Sequence, residues 1–214
     1  MKIPIDLLIF DFDGTLTDSI PSAIESIQDM IAELSYPRKS KEEIREHIGF
    51  GERALVSGSI GTEDDEKVKA AQKIYYKHVS KRLKEVSLYP HVKEILELFK
   101  NKTKIIISNK RDEFIIKILA DQGLNRYFKE VLGGDSASCL KPDPCALLKI
   151  IEKYKIPIDR VLFVGDMTID IETGKNAGVK TCAVTYGFDD KEKLKKSNPD
   201  LLIDDILELK ELIF

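Results

Sequence analysis

The chain has no tryptophan, only three histidines and three cysteines, and no excess of positive charge across its 214 residues. Each shortage closes off a class of function. With 34 Lys and Arg against 37 Asp and Glu, the formal charge is −3. Such a balance leaves no surplus of positive charge to neutralise a nucleic-acid backbone, so nucleic-acid binding is set aside as the main task. His47, His78 and His91 are scattered without shared spacing, which argues against a histidine metal site. Cys139, Cys145 and Cys182 are odd in number and lack metal-ligand spacing, so the expectation is reduced thiols in a cytoplasmic protein. No apolar run approaches the roughly 20 residues of a membrane span. The first residues also lack the long apolar stretch and small-residue cleavage site of a secretory signal. No membrane association is expected, and the chain is read as a monomer or homodimer.

What is present is the composition of a globular domain, 43% hydrophobic and 33% charged. Several short apolar runs stop abruptly at a polar residue: Leu7–Phe10 at Asp11, Ile105–Ile107 at Ser108, Val161–Val164 at Gly165-Asp166, Cys182–Val184 at Thr185, and Leu201–Ile203 at Asp204. Continuous runs of this length suit strands buried on both faces. Between most of them lie segments of helical period, such as Val92, Ile95, Leu96, Phe99 and then Phe114, Ile115, Ile118, Leu119. This alternation predicts a doubly wound α/β domain with a mainly parallel sheet, whose ligand sits at the carboxyl ends of the strands. Asp11, Ser108 and Asp166 fall at those ends.

Residues 17–85 break the alternation, with no convincing strand. Ile20, Ile24, Ile27, Ile31 and Leu34 recur at helical spacing, with Pro21 suited to a first turn, and Ser40 and Glu43 stand in capping-box register. A further helix is predicted from about Thr62, carrying Val68, Ala71, Tyr75, Val79 and Leu83, while Gly49–Gly51 and Gly58–Gly61 read as loop. The predicted organisation is therefore an α/β core of residues 1–16 and 86–214, with a helical cap of residues 17–85 inserted after the first strand.

Four segments carry chemistry. In Asp11-Phe12-Asp13-Gly14, a carboxylate at a strand end can attack phosphorus, and a second one two residues on can exchange protons with the leaving oxygen and then with water. Alone, the segment fits a turn equally well; the opening of a calcium loop is less apt, since Ser22 stands where the closing Glu belongs. Ser108-Asn109 can bind a phosphate oxygen or cap a helix. Lys141, between Leu140 and Pro142, can bridge nucleophile and phosphate or be a solvated surface charge. Asp166 and Asp170 can hold a divalent cation, or cap and flank a helix start. None is decisive alone. Their specificity lies in occurring together, in one order, each at or beside a strand end.

In that order and setting, Asp11–Asp13, Ser108–Asn109, Lys141 and Asp166–Asp170 resemble the four motifs of the haloacid dehalogenase-like (HAD) hydrolase superfamily, in its phosphatase branch, over essentially the whole chain. The resemblance implies an Mg²⁺-dependent phosphatase acting on a small phosphomonoester through an aspartyl-phosphate. Asp11 would be the nucleophile and Asp13 the acid/base. Ser108, Asn109 and Lys141 would bind phosphate. Asp11, Asp166 and the Asp13 carbonyl would hold the metal, with Asp170 behind them. The finer match looks like the phosphoglycolate phosphatases, through Ser108-Asn109-Lys110, Gly133-Gly134-Asp135, Lys141–Pro144 and Thr185–Phe188. Asp143 departs from a common His of that group, and Met167-Thr168 from its usual polar pair. The alternatives on the same core are a phosphomutase of the β-phosphoglucomutase type and a pyrophosphatase.

Overall fold

The computed structural model describes residues 2–214. In chain order it contains β1 (Leu7–Phe10), β2 (Thr17–Asp18), α1 (Ile20–Glu33), α2 (Lys41–Arg45), α3 (Glu52–Ile60) and α4 (Asp65–Arg82). These are followed by β3 (Ser87–Leu88), α5 (Val92–Leu98), β4 (Thr103–Ile107), α6 (Asp112–Gln122), β5 (Glu130–Leu132) and α7 (Cys145–Tyr154). The chain ends with β6 (Val161–Gly165), α8 (Thr168–Ala177), β7 (Lys180–Val184), α9 (Lys191–Lys196), β8 (Leu201–Ile203) and α10 (Leu209–Leu212). Six strands form one sheet in the order β5-β4-β1-β6-β7-β8, parallel at every pairing.

The apolar runs explain the sheet. Leu8 and Phe10 of β1 point into the core on one face, and Leu7 and Ile9 into the core on the other, all essentially without solvent contact. Burying each such side chain contributes about 1.5–3 kcal/mol, which two-sided burial supplies along the whole strand. The chain builds outward from β1 to β4 and β5, then returns to build β6, β7 and β8 on the other side. That reversal opens a crevice at the carboxyl end of β1, where α/β sheets bind ligands. Phe10 pairs with Ile106 of β4 and with Val164 of β6, so Asp11, Ser108 and Asp166 leave three adjacent strands at nearly one level.

The helices α1 to α4 pack mainly on one another. Ile20, Ile24, Ile27 and Ile31 of α1, joined by Met30, are buried, as are Val68, Ala71, Tyr75 and Val79 of α4. Pro21 lies in the first turn of α1, and Ser40 and Glu43 close a reciprocal capping box on α2. The predicted absence of strand here is corrected in one detail. Thr17 and Asp18 pair antiparallel with Leu88 and Ser87, so the chain leaves and re-enters the sheet layer through a two-stranded ribbon. The predicted loop at Gly58–Gly61 is corrected too, because Gly58 lies inside α3. A Cβ there would fall 2.4 Å from the His47 ring, so glycine is what lets the imidazole pack against the helix.

The expectation of three reduced thiols is also corrected. Cys139 and Cys145 form a disulfide, with their Cα atoms 6.1 Å apart, and Cys182 is free and buried. The physical reason is a chain reversal between them: the Asp143 amide donates to the Leu140 carbonyl at 3.0 Å, which folds the segment back on itself. Cysteine usage therefore no longer supports a reducing compartment. Among the described residues, no helix is long and apolar enough to cross a membrane.

Candidate active site

Asp11 continues the β1 ladder, its amide donating to the Val164 carbonyl at 2.9 Å, and the residue is 4% exposed. Lys141 Nζ lies 2.8 Å from Asp11 Oδ1 and 2.6 Å from Asp170 Oδ1, so one ammonium joins two carboxylates. The Lys141 contact is poorly directed at Asp11, and Asp11 Oδ1 is the buried side-chain polar atom, among the described residues, that lacks a hydrogen bond. Asp166 is fully enclosed. Its Oδ1 accepts from the Thr15 hydroxyl at 2.7 Å and its Oδ2 from the Phe188 amide at 2.7 Å. Asp170 completes the group by accepting from the Met167 amide at 2.9 Å at the start of α8. Helix capping thus falls to Asp170 rather than to Asp166.

Carboxylate oxygens of Asp11, Asp166 and Asp170 all lie within 4.8 Å of one another. Three buried acids around one lysine leave an excess of negative charge in a medium that screens it poorly. Burial, reinforced by Asp170 and Asp13, pushes the Asp11 carboxyl up to about 6 despite Lys141. Burial, with Asp170 and Asp11 beside it, holds Asp166 well above the usual carboxylate range, although the Phe188 amide and Thr15 oppose the shift. Burial alone would depress Lys141, but Asp11 and Asp170 overcome it and raise it above the ordinary lysine value. The hard oxygen donors, the uncompensated charge and the orphaned Asp11 Oδ1 together fit a divalent cation.

Gly14 permits this enclosure. Its φ of +85° is a left-handed conformation, and a Cβ there would fall 2.1 Å from Asp166 Oδ2. Across the cavity, Asp13 accepts from the Ser19 hydroxyl, and from Lys110 Nζ at 3.1 Å. Asn109 caps no helix. Its Oδ1 accepts the Lys141 amide at 2.9 Å, while its Nδ2 donates to the Gly49 carbonyl at 2.8 Å and to the Lys141 carbonyl at 3.1 Å. The Asn109 side chain therefore holds the lysine loop against the helical layer, and buried Ser108 lines the cavity beside it.

The cavity, about 60 Å³, lies between the strand ends and the helical layer. Asp11, Asp13, Ser108, Asn109 and Lys141 line it from the sheet side, and Ile20, Ala23, Ile48, Leu55 and Tyr75 from the helical side. All seven sequence-predicted residues thus gather around one centre. Thr15, Ser19, Glu52 and Lys110 join them from outside the predicted set. Thr15 and Lys110 sit inside motifs already singled out, which was the available signal. Glu52 carried none, since only tertiary packing brings it to the cavity and half buries it.

A profile described as "Haloacid dehalogenase-like hydrolase" matches residues 8–184. The chain is 35% identical over 219 residues to "Phosphoglycolate phosphatase" of Vibrio parahaemolyticus serotype O3:K6, covering 98% of this chain and 96% of that one. It is 33% identical to "Phosphoglycolate phosphatase" of Haemophilus influenzae, covering both chains fully. Its fold superposes with a TM-score of 0.90 on the crystal structure of a predicted phosphoglycolate phosphatase from Haemophilus somnus 129PT, at 28% identity and 97% coverage of each chain. The chain belongs to the haloacid dehalogenase-like hydrolases, as a phosphoric monoester hydrolase of their phosphatase branch.

Proposed function

We propose that the protein is an Mg²⁺-dependent phosphatase of small phosphomonoesters, phosphoglycolate foremost, that works through a phosphorylated Asp11. Asp11, Asp166 and the Asp13 backbone carbonyl would hold the metal, and the bound ion would offset the repulsion between an anionic nucleophile and an anionic phosphate. An Asp11 oxygen attacks phosphorus as the ester P–O bond breaks, and Asp13 gives its proton to the departing alkoxide. Asp13 then takes a proton from water, whose oxygen attacks the same phosphorus, releasing inorganic phosphate and the Asp11 carboxylate. Ser108 and Lys141 bind the phosphate oxygens, and Asn109 keeps the Lys141 backbone in place. Residues 17–85 act as a cap that excludes bulk water during the cycle.

The observation that carries this reading is the convergence of Asp11, Lys141 and Asp166 from separate segments onto one buried centre, with Asp13 facing them across the cavity. The small cavity, partly apolar on its helical side, favours a short ester over a hexose phosphate, which weighs against the phosphomutase alternative. The names of the relatives support phosphoglycolate among short esters. The test is Asp11→Asn, assayed with Mg²⁺ on phosphoglycolate, p-nitrophenyl phosphate, β-glucose 1-phosphate and pyrophosphate. Turnover should fall by roughly 10⁴-fold or more, and phosphoenzyme seen by mass spectrometry of acid-quenched wild type should vanish in the variant. Retained turnover would refute Asp11 as nucleophile.

A further inference from the structure

Two lysines reach the cavity, and they are differently committed. Lys141 is locked between Asp11 and Asp170 at the sheet end, with 3% of its side chain exposed. Lys110 has a single ion-pair partner, Asp13 Oδ1 at 3.1 Å, and its side chain is 10% exposed. It lines the cavity beside Asp13 and Glu52. The other nearby cations are spoken for. Arg53 is half exposed and turned away to Asp65 at 2.7 Å, Arg111 pairs with Asp135 at 3.0 Å, and Arg45 lies over the Phe188 ring.

We propose that Lys110 is the specificity-determining cation of this cavity and that it exchanges Asp13 for a carboxylate on the alcohol half of the ester, so that preferred substrates are phosphate monoesters of short hydroxy acids. The inference rests on the phosphatase reading above. Asp13, as the group that serves the leaving oxygen, marks where that oxygen must lie. Lys110 Nζ stands one hydrogen bond from the same carboxylate. A carboxylate on the carbon next to the leaving oxygen therefore arrives within reach of Lys110, whereas Lys141 stays with Asp11 and the phosphate. Charge balance points the same way. Asp11 and Asp13 already line the cavity, so a substrate bringing a second anion needs a second cation there. Exchanging Asp13 for the substrate carboxylate preserves an ion pair for Lys110 and releases Asp13 Oδ1 toward the leaving oxygen. An ester with a neutral alcohol half offers no such exchange.

The experiment compares phosphoglycolate with ethyl phosphate, which replaces the carboxylate by a methyl group at the same position, using the full chain and Mg²⁺. Wild type should favour phosphoglycolate in kcat/KM. In Lys110→Met that preference should fall roughly 10- to 150-fold, mainly through KM, as expected for losing a charge-assisted hydrogen bond. Lys110→Arg should restore part of it. Equal losses on the two esters in Lys110→Met would reduce Lys110 to a structural partner of Asp13 and overturn the proposal. So would a wild-type enzyme that hydrolyses both esters equally well, a result that needs no variant to fold and leaves the phosphatase reading standing. A wild-type enzyme that hydrolyses neither ester nor p-nitrophenyl phosphate overturns the phosphatase reading and this inference together.

Discussion

The two walls of the cavity are built on different principles. On the sheet wall, Asp11, Lys141, Asp166 and Asp170 are almost fully buried, and ion pairs and backbone amides fix their positions at 2.6–2.9 Å. On the helical wall, Ile20, Ala23, Ile48, Leu55 and Tyr75 present mostly hydrocarbon, and Glu52 is the acid among them. A wall of cross-linked charges holds reacting atoms to a fixed geometry, as transition-state stabilisation requires. A wall of hydrocarbon excludes water and sets shape, and it can be altered without disturbing the first. On the proposed mechanism, the difference puts bond-making at the strand ends and selection at the helices, with Lys110 standing where the two meet.

Glu52 offers the sharpest way to break this comparison. Burial pushes its carboxyl up to about 7, although the Lys110 charge and hydrogen bonds from Tyr76 and the Arg111 amide oppose the shift. A raised folded-state value means the folded protein holds this proton more tightly than the unfolded chain. The stability it contributes is complete below the unfolded value near 4.5 and is lost as pH rises through 7. By pH 8 that loss approaches about 3 kcal/mol. Glu52→Gln should flatten the fall in stability between pH 5 and pH 8, measured by urea denaturation in saturating Mg²⁺. If the fall persists unchanged, the titrating charge belongs to the sheet wall, and the helical wall is as inert as its hydrocarbon suggests.

Gly14 tests the opposite wall. With φ at +85° and Asp166 Oδ2 2.1 Å from where a Cβ would stand, Gly14→Ala must displace either the turn or the carboxylate. Because the carboxylate is the proposed metal ligand, apparent Mg²⁺ affinity should weaken by roughly 10- to 100-fold. The Mg²⁺ dependence of p-nitrophenyl phosphate hydrolysis reads this directly. An unaltered Mg²⁺ midpoint would show that the strand-end charges are not held as rigidly as their packing implies.

Which parts were legible in the sequence follows from the same contrast. Strands β1, β4, β6 and β7 announced themselves because two-sided burial leaves an unbroken apolar run, and β8, though half buried at the other sheet edge, is apolar throughout. β5 did not, because at the sheet edge Glu130–Leu132 is only half buried and one position carries charge. The β2–β3 ribbon has two residues per strand, too few to show a period. Helices α1 and α4 were visible through their apolar stripes, while α3 was hidden by a glycine whose partner, His47, is a tertiary neighbour. In the site, the carboxylates and Lys141 were legible because each follows a strand end or sits in a marked loop. Their holders were not: the Phe188 amide reaches Asp166 from 22 residues away, and a backbone donor leaves no mark in side-chain chemistry. The Cys139–Cys145 bridge leaves no mark in cysteine number or spacing, because only the turn at Leu140–Asp143 brings the thiols together.

The smallest effect expected is at the seam between the walls. Arg45 of α2 places its guanidinium 4.5 Å from the centre of the Phe188 ring and donates to the Phe188 carbonyl at 3.4 Å. The amide of that same residue holds Asp166 at 2.7 Å. A helical-wall cation thus touches the backbone segment that fixes a sheet-wall carboxylate. A partly exposed cation–π contact contributes about 0.5–1 kcal/mol, so Arg45→Ala should raise KM by about two- to five-fold. If the seam transmits anything, the Mg²⁺ midpoint should move by a similar factor in the same variant. Arg45→Lys should restore only part of either value, since an ammonium lacks the planar face that stacks on the ring. A KM shift with no change in the Mg²⁺ midpoint would mean that Arg45 only holds the helices closed and that the two walls act independently across this seam.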